Sequence, residues 1–301
     1  MATSVMLNGI FPPLPTPFTV RADVDFDGLR EDLEKYNETG LAGYVALGSN
    51  GEAVHLSIDE RTRVISTISR LAAGRTVVAG VNELSTGAAI EASHRAADAG
   101  AHAALVITPY FYKGSMSQDI LSRHFNEVAD HSPLPVLLYN VPQNTGVIIE
   151  PSTIGALSRH QNIIGIKDSS GNMGAISDTI RLTSDRFSVL TGNGGILYPS
   201  LAMGAVGAVL ALACVAPRPT VELFEAVRQG EHEKARQLQH RLAPLSHIIT
   251  AGLGVSGLKA ALEFAGFTGG APRAPLRQVS EADRERIKAV MRDTGFFPGL
   301  E

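Results

Sequence analysis

Pro135-Val136-Leu137-Leu138-Tyr139 and Ile163-Ile164-Gly165-Ile166-Lys167, separated by a helical stretch at residues 151–159, decide how this chain folds. Each run is short, continuously apolar and rich in branched side chains. Strands of that kind are buried on both faces, which is the habit of a parallel sheet covered by helices. Working outward, the same alternation recurs. Strands are predicted at Ile10–Thr16, Gly43–Leu47, Thr76–Val81, Ala103–Thr108, Pro135–Tyr139, Ile163–Lys167, Phe187–Thr191 and Ala205–Leu212. Helices are predicted near 27–40, 57–73, 86–100, 117–131, 151–159, 173–184, 194–203 and 216–229. Positions at the strand ends, Thr16, Gly48, Val81, Thr108, Asn140, Lys167, Gly192 and Leu212, recur at intervals of 20 to 33 residues. Eight such units predict an α/β chain closed into a (β/α)8 TIM barrel. An open doubly wound sheet is the alternative, but it usually carries a Gly-rich turn after its first strand. Here that place reads Thr16-Pro17-Phe18.

Helix boundaries support the parse. Ser57 precedes Ile58-Asp59-Glu60, a capping-box pattern, and Gly40 and Gly100 stand where C-terminal caps belong. After residue 228 the strand signal ends, and Glu231–Leu245, Ser256–Phe264 and Glu281–Arg292 read as helix. The expected organisation is a barrel over 1–228 and a small helical appendage over 229–301.

Composition narrows the function classes. The 301 residues are 44% hydrophobic and 19% charged, with a net charge of −4. No basic run suggests a nucleic-acid surface. The longest apolar run, Ala205–Ala216, is shorter than the roughly 20 helical residues needed to cross a bilayer. The single cysteine, Cys214, and the lack of a signal-peptide pattern suit a cytoplasmic protein.

In such barrels the C-terminal strand ends face the active-site mouth. Of the six lysines, Lys167 alone ends an apolar strand. Burial favours the neutral amine, which is the nucleophile needed to form a Schiff base with a ketone. A structural alternative is an ion pair with Asp168. Tyr139 ends the preceding strand and can sit beside Lys167, either as a proton relay or as a core aromatic. Ser49-Asn50, between Gly48 and Gly51, can hold a carboxylate or be an ordinary turn. Gly192-Asn193-Gly194-Gly195 can bind phosphate or make room for substrate. Gly252-Leu253-Gly254-Val255-Ser256-Gly257 follows a helix, which argues against a dinucleotide site. The scattered histidines give no metal spacing, and no metal is expected. Glu52 is read only as a cap, without a chemical role.

Together, Gly48-Ser49-Asn50-Gly51-Glu52, Tyr139-Asn140-Val141-Pro142 and Ile164-Gly165-Ile166-Lys167-Asp168-Ser169 resemble the dihydrodipicolinate synthase / N-acetylneuraminate lyase family of class I aldolases. The resemblance spans nearly the whole chain. It implies that Lys167 forms the Schiff base, that Tyr139 relays protons, and that Ser49 and Asn50 hold the pyruvate carboxylate. It implies a homotetramer built as a dimer of dimers, and no cofactor beyond the covalent link to the 2-oxo-acid substrate. Family synthases typically carry Thr-Thr in the first motif and an arginine in the turn after Tyr-Asn-Val-Pro. Here those places hold Ser49-Asn50 and Asn144. The pattern is more similar to 4-hydroxy-2-oxoglutarate aldolases, supported by Tyr112-Lys113-Gly114-Ser115, Leu238-Gln239-His240-Arg241 and Arg273-Ala274-Pro275-Leu276. That likeness adds Ser169 as a substrate contact, with cleavage to pyruvate and glyoxylate as the expected reaction; Asn144 and Gly192 are further candidate substrate contacts. The alternatives are 4-hydroxy-tetrahydrodipicolinate synthesis from pyruvate and aspartate semialdehyde, a sugar-acid aldolase or dehydratase, and a non-catalytic 2-oxo-acid binder. The family's interface tyrosine is replaced by Phe111, which leaves Tyr110 and Tyr112 as candidate relay hydroxyls.

Overall fold

The computed structural model describes Val5 and residues 7–300. Its strands are β1 (Gly9–Phe11), β2 (Gly43–Ala46), β3 (Thr76–Val81), β4 (Ala103–Ile107), β5 (Val136–Asn140), β6 (Ile163–Asp168), β7 (Ser188–Thr191) and β8 (Gly207–Val209). Every neighbouring pair is parallel, in the order β1-β8-β7-β6-β5-β4-β3-β2. A bridge from Pro13 to Val45 closes the ring between β1 and β2. There Leu14 N–H donates to Val45 O at 2.9 Å, and Val45 N–H donates to Pro12 O at 3.0 Å. This is the eight-stranded (β/α) barrel that the alternation predicts.

The edges of the parse shift for identifiable reasons. β1 stops at Phe11 instead of running to Thr16, because Pro12 and Pro13 carry no N–H for a ladder. β8 keeps only Gly207–Val209 of the expected Ala205–Leu212, and Leu212–Val215 is helical. The helix expected at 194–203 is a 3-10 turn, Gly194–Ile196, followed by the helix Leu197–Ala202. The Ser57 capping box is formed, and Gly100 follows the C-cap Ala99 with a left-handed φ; Gly40 is also left-handed but lies in a turn, because the first helix ends at Tyr36 with Asn37 as its cap.

Two apolar layers hold the barrel. Phe11, Val45, Val78, Leu105, Leu137, Leu190 and Val209 fill its interior. Leu138, Ile166 and Val189 point outward into the larger core beneath the helices. Strand side chains alternate between faces. The outward Leu138 and Ile166 therefore place Tyr139 and Lys167 inside, and the two are register partners across β5 and β6.

Beyond residue 228 lie the helix His232–His247, a π turn at Ile248–Gly252, and the helices Gly254–Phe264 and Glu281–Thr294. Leu242, Leu258, Ile287 and Met291 join the barrel's outer core. Gln239 fastens the first of these helices to the β7 loop. Its Nε2 donates to Gly194 O at 2.9 Å, and its Oε1 accepts from Tyr198 N–H at 2.8 Å. Among the described residues no helix is long and apolar enough to cross a membrane.

Candidate active site

β6 delivers Lys167 to the C-terminal mouth of the barrel with only 4% of its surface exposed. Its Nζ lies 4.2 Å from the centre of the Tyr139 ring. The alternative pairing with Asp168 does not form. Asp168 lies on the other face of the strand, where it accepts from Asn140 Nδ2 at 2.7 Å and from Ser170 N–H at 2.8 Å. Among the described residues, no carboxylate lies within ion-pair distance of Lys167.

The Tyr139 hydroxyl and Ser49 Oγ are 3.3 Å apart. Burial pushes the Tyr139 phenol upward, but the charge of Lys167 and hydrogen bonding with Ser49, Lys167 and Ser169 outweigh it. The phenol is held below its ordinary value. A phenol that surrenders its proton more readily beside an amine suits proton relay.

Ser49 opens a 3-10 turn, Ser49–Gly51, between two strained residues. Leu47 has φ 58° and Glu52 has φ 52°, both in the left-handed region. Such backbone costs on the order of 1–3 kcal/mol per residue and persists where surroundings enforce it. Here Asn82 Nδ2 donates to Leu47 O at 2.8 Å. Gly80 makes room for that carbonyl, since a Cβ on it would lie 2.2 Å from Leu47 O. Among the described residues, the Ser49 and Asn50 N–H groups take no backbone acceptor, so both remain available to an anion.

Gly192 explains itself by packing. A Cβ there would fall 1.9 Å from Ser169 Oγ and 3.1 Å from Lys167 Cε. Ser49, Asn50, Tyr139, Lys167, Ser169, Gly192 and Asn144 line one cavity of about 580 Å³. Asn144 is exposed at its lip. Gln143 Nε2 ties that lip to Ser169 O at 2.7 Å.

A model of the dihydrodipicolinate synthetase family matches residues 6–294. The chain belongs to the dihydrodipicolinate synthetase family.

Members of this family are pyruvate-dependent carbon–carbon lyases of the class I aldolase type. The chain is 39% identical over 287 residues to a 4-hydroxy-tetrahydrodipicolinate synthase of Methanothrix thermoacetophila, covering 95% of this chain and 96% of that one. It is 36% identical to the enzyme of the same name from Methanocaldococcus jannaschii, covering 97% and 100%. A crystal structure of a dihydrodipicolinate synthase superposes with a TM-score of 0.90 at 35% identity, covering 96% and 100%. A prophage protein of the family from E. coli K12, solved in complex with pyruvate, gives a TM-score of 0.91 at 28% identity, covering 97% and 100%.

Within this family frame, two expected residues stay apart from the cavity. Tyr110 is half-buried and Tyr112 exposed, and neither hydrogen-bonds to Ser49 or Tyr139 among the described residues. Phe111 is 71% exposed and meets Tyr112 edge-on. No three His, Cys, Asp or Glu side chains gather as potential metal ligands among the described residues.

Sequence reasoning missed the other wall of the cavity. Ser246, Thr250, Ala251, Gly254 and Val255 line it. The Gly252-x-Gly254-x-x-Gly257 stretch is thus part of a π turn and a helix start facing the cavity. Sequence reasoning also underrated two charges. Lys259, which ends no strand, is 1% exposed, and its Nζ lies 2.6 Å from Glu52 Oε1. Burial pushes the Lys259 ammonium down, against the opposing pull of Glu52. Glu52 makes no capping hydrogen bond. The signal was present in Gly257-Leu258-Lys259-Ala260-Ala261-Leu262, where a lysine interrupts an otherwise apolar helix.

Proposed function

We propose that this chain condenses its Lys167 amine with pyruvate, or with the pyruvyl half of a larger 2-oxo acid, and makes or breaks a C–C bond to a short aldehyde that carries its own carboxylate. The observation that carries this is Lys167 itself, buried, without a carboxylate partner among the described residues, and 4.2 Å from the Tyr139 ring.

The chemistry follows from the arrangement. The amine adds to the C2 carbonyl and water leaves, giving an iminium. Its positive nitrogen accepts the electron pair released at C3. In synthesis, C3 of the iminium loses a proton, and the resulting enamine attacks the aldehyde carbon, whose oxygen takes up a proton. In cleavage, Tyr139 removes the proton of the C4 hydroxyl. The C3–C4 pair moves into the iminium and the aldehyde departs. The enamine is then protonated at C3 and hydrolysed to pyruvate and free Lys167. Ser49 completes the relay. The Ser49 and Asn50 groups hold the C1 carboxylate, and Ser169 borders the reacting carbons. The iminium is the electron sink, so the scheme calls on no cofactor. The homotetramer, and Tyr110 or Tyr112 as a hydroxyl from a partner subunit, belong to the same proposal.

Two aldehydes fit this chemistry. The sequence motifs put cleavage of 4-hydroxy-2-oxoglutarate to glyoxylate first. The relatives at 34 to 39% identity instead bear the name 4-hydroxy-tetrahydrodipicolinate synthase, which favours condensation with aspartate semialdehyde. Asn144 at the lip is the feature favouring cleavage, since an asparagine offers no cationic fork to a carboxylate.

Borohydride reduction with pyruvate, followed by peptide mapping, tests the shared step. An adduct on Lys167 that Lys167→Ala abolishes supports it; an unmodified wild-type chain excludes it. Parallel assays of pyruvate release from 4-hydroxy-2-oxoglutarate, and of pyruvate consumption with aspartate semialdehyde, separate the two substrates.

A further inference from the structure

The Glu52–Lys259 ion pair takes no part in the steps above, yet both side chains are 1% exposed. Removing two charges from water is costly, and an apolar pair of similar volume often serves stability as well. The location of the pair gives it another use. Glu52 directly follows the Ser49–Gly51 turn, whose Gly51 O accepts from Thr16 Oγ1 at 2.7 Å. Its second oxygen accepts from Arg273 N–H at 2.9 Å and lies 3.2 Å from His55 Nδ1. Lys259 also donates to Ala271 O at 3.2 Å, and its ammonium sits 4.3 Å from the Phe18 ring centre. Lys259 lies four residues after Val255 on the same helix, so the two share a face, and Val255 lines the cavity. One end of the pair is therefore one residue from the turn that faces the substrate. The other is one helical turn from the opposite wall.

We infer that Glu52 and Lys259 are positioning residues that set the spacing between the Ser49-Asn50 turn and the Gly254–Val255 wall, and so the affinity for the 2-oxo-acid carboxylate. This rests on the reading that Ser49 and Asn50 hold that carboxylate.

The test is the pyruvate dependence of borohydride trapping on Lys167, which needs no choice of aldehyde. Glu52→Asp keeps the charge but shortens its reach by one methylene. It should raise the half-saturating pyruvate concentration about ten-fold while the maximal trapping rate stays within about three-fold. Glu52→Gln/Lys259→Met removes both charges and orphans neither. It should recover the melting temperature lost in Glu52→Gln, with half-saturation still raised. A wild-type half-saturation in Glu52→Asp overturns the inference, as does a double variant that regains both stability and wild-type half-saturation. Ser49→Ala separates the levels. If it raises half-saturation while Glu52→Asp does not, the inference alone fails. If neither variant moves it, the carboxylate reading fails as well.

Discussion

Tyr139 and Lys167 are register partners on adjacent parallel strands, and the lysine Nζ stands 4.2 Å from the tyrosine ring centre. The pairing places an amine and a lowered phenol at one point of the barrel mouth without any loop to position them. Removing the hydroxyl by Tyr139→Phe keeps the ring under Lys167 and deletes only the relay. Turnover should fall by about 10²–10⁴-fold, the usual range for a general acid–base group. The pH–rate limb that reports Tyr139 ionisation should lie below the ordinary value of 10 and vanish in the variant. Undiminished turnover would remove Tyr139 from the chemistry.

Gly192→Ala tests how tightly the site is built. The new methyl would meet Ser169 Oγ and the Lys167 stem. Overpacking of this kind typically costs about 1–3 kcal/mol. The expected outcome is a lower melting temperature together with borohydride trapping slowed at least about ten-fold, because Lys167 must give way. A variant that traps pyruvate at the wild-type rate would show that the lysine has room the structure does not give it.

The lip residue bears on substrate choice. Asn144→Arg supplies a guanidinium where the cavity meets solvent. A charge-assisted hydrogen bond is worth about 1.5–3 kcal/mol. The variant should therefore lower the KM for aspartate semialdehyde about ten-fold or more, while leaving pyruvate trapping unchanged. Equal KM values in variant and wild type would show that the aldehyde's carboxylate lies elsewhere.

His124 governs part of the acid stability. Burial pushes its imidazole down from 6.5 to about 4, with Thr86 Oγ1 3.0 Å from Nδ1. Between those values the unfolded chain binds a proton that the folded chain refuses, so stability falls as pH drops from about 6.5 toward 4. From pH 7 to pH 5 this one group should remove about 2 kcal/mol. Asp32, raised to about 6 by burial, acts in the opposite sense over an overlapping window. It does so equally in wild type and variant. His124→Gln should thus flatten the loss of stability between pH 7 and 5, as read by denaturant unfolding. Parallel curves for the two proteins would refute the assignment.

Much of this molecule is legible in its sequence because parallel strands buried on both faces carry an unbroken apolar signal. Ile163–Lys167 is such a case: its last side chain is the one that cannot be buried without reason. Ser49, Asn50, Ser169 and Gly192 converge on one cavity because each lies in the turn that follows a strand, while Asn144 reaches it from the short helix Pro142–Thr145. What escaped depends on tertiary contact. Nothing local distinguishes Leu47, whose left-handed backbone is imposed by Asn82 and Gly80 thirty-odd residues away. The wall from Ser246 to Val255 hides in a helical pattern, because a π turn leaves no mark in apolar spacing. Lys259 and Glu52 lie far apart in the chain, and although Lys259 interrupts an apolar helix, nothing local names Glu52 as its partner.

The chain's own order gives the C-terminal wall a temporal meaning. During synthesis all eight strands and Lys167 emerge before Gly254, Val255 and Lys259 exist. The newborn barrel therefore presents Lys167 in a half-built chamber, and Glu52 waits without Lys259 until the helix Gly254–Phe264 docks. A product truncated after the eighth strand therefore carries Lys167 but lacks Gly254, Val255 and Lys259, and with them one wall of the cavity.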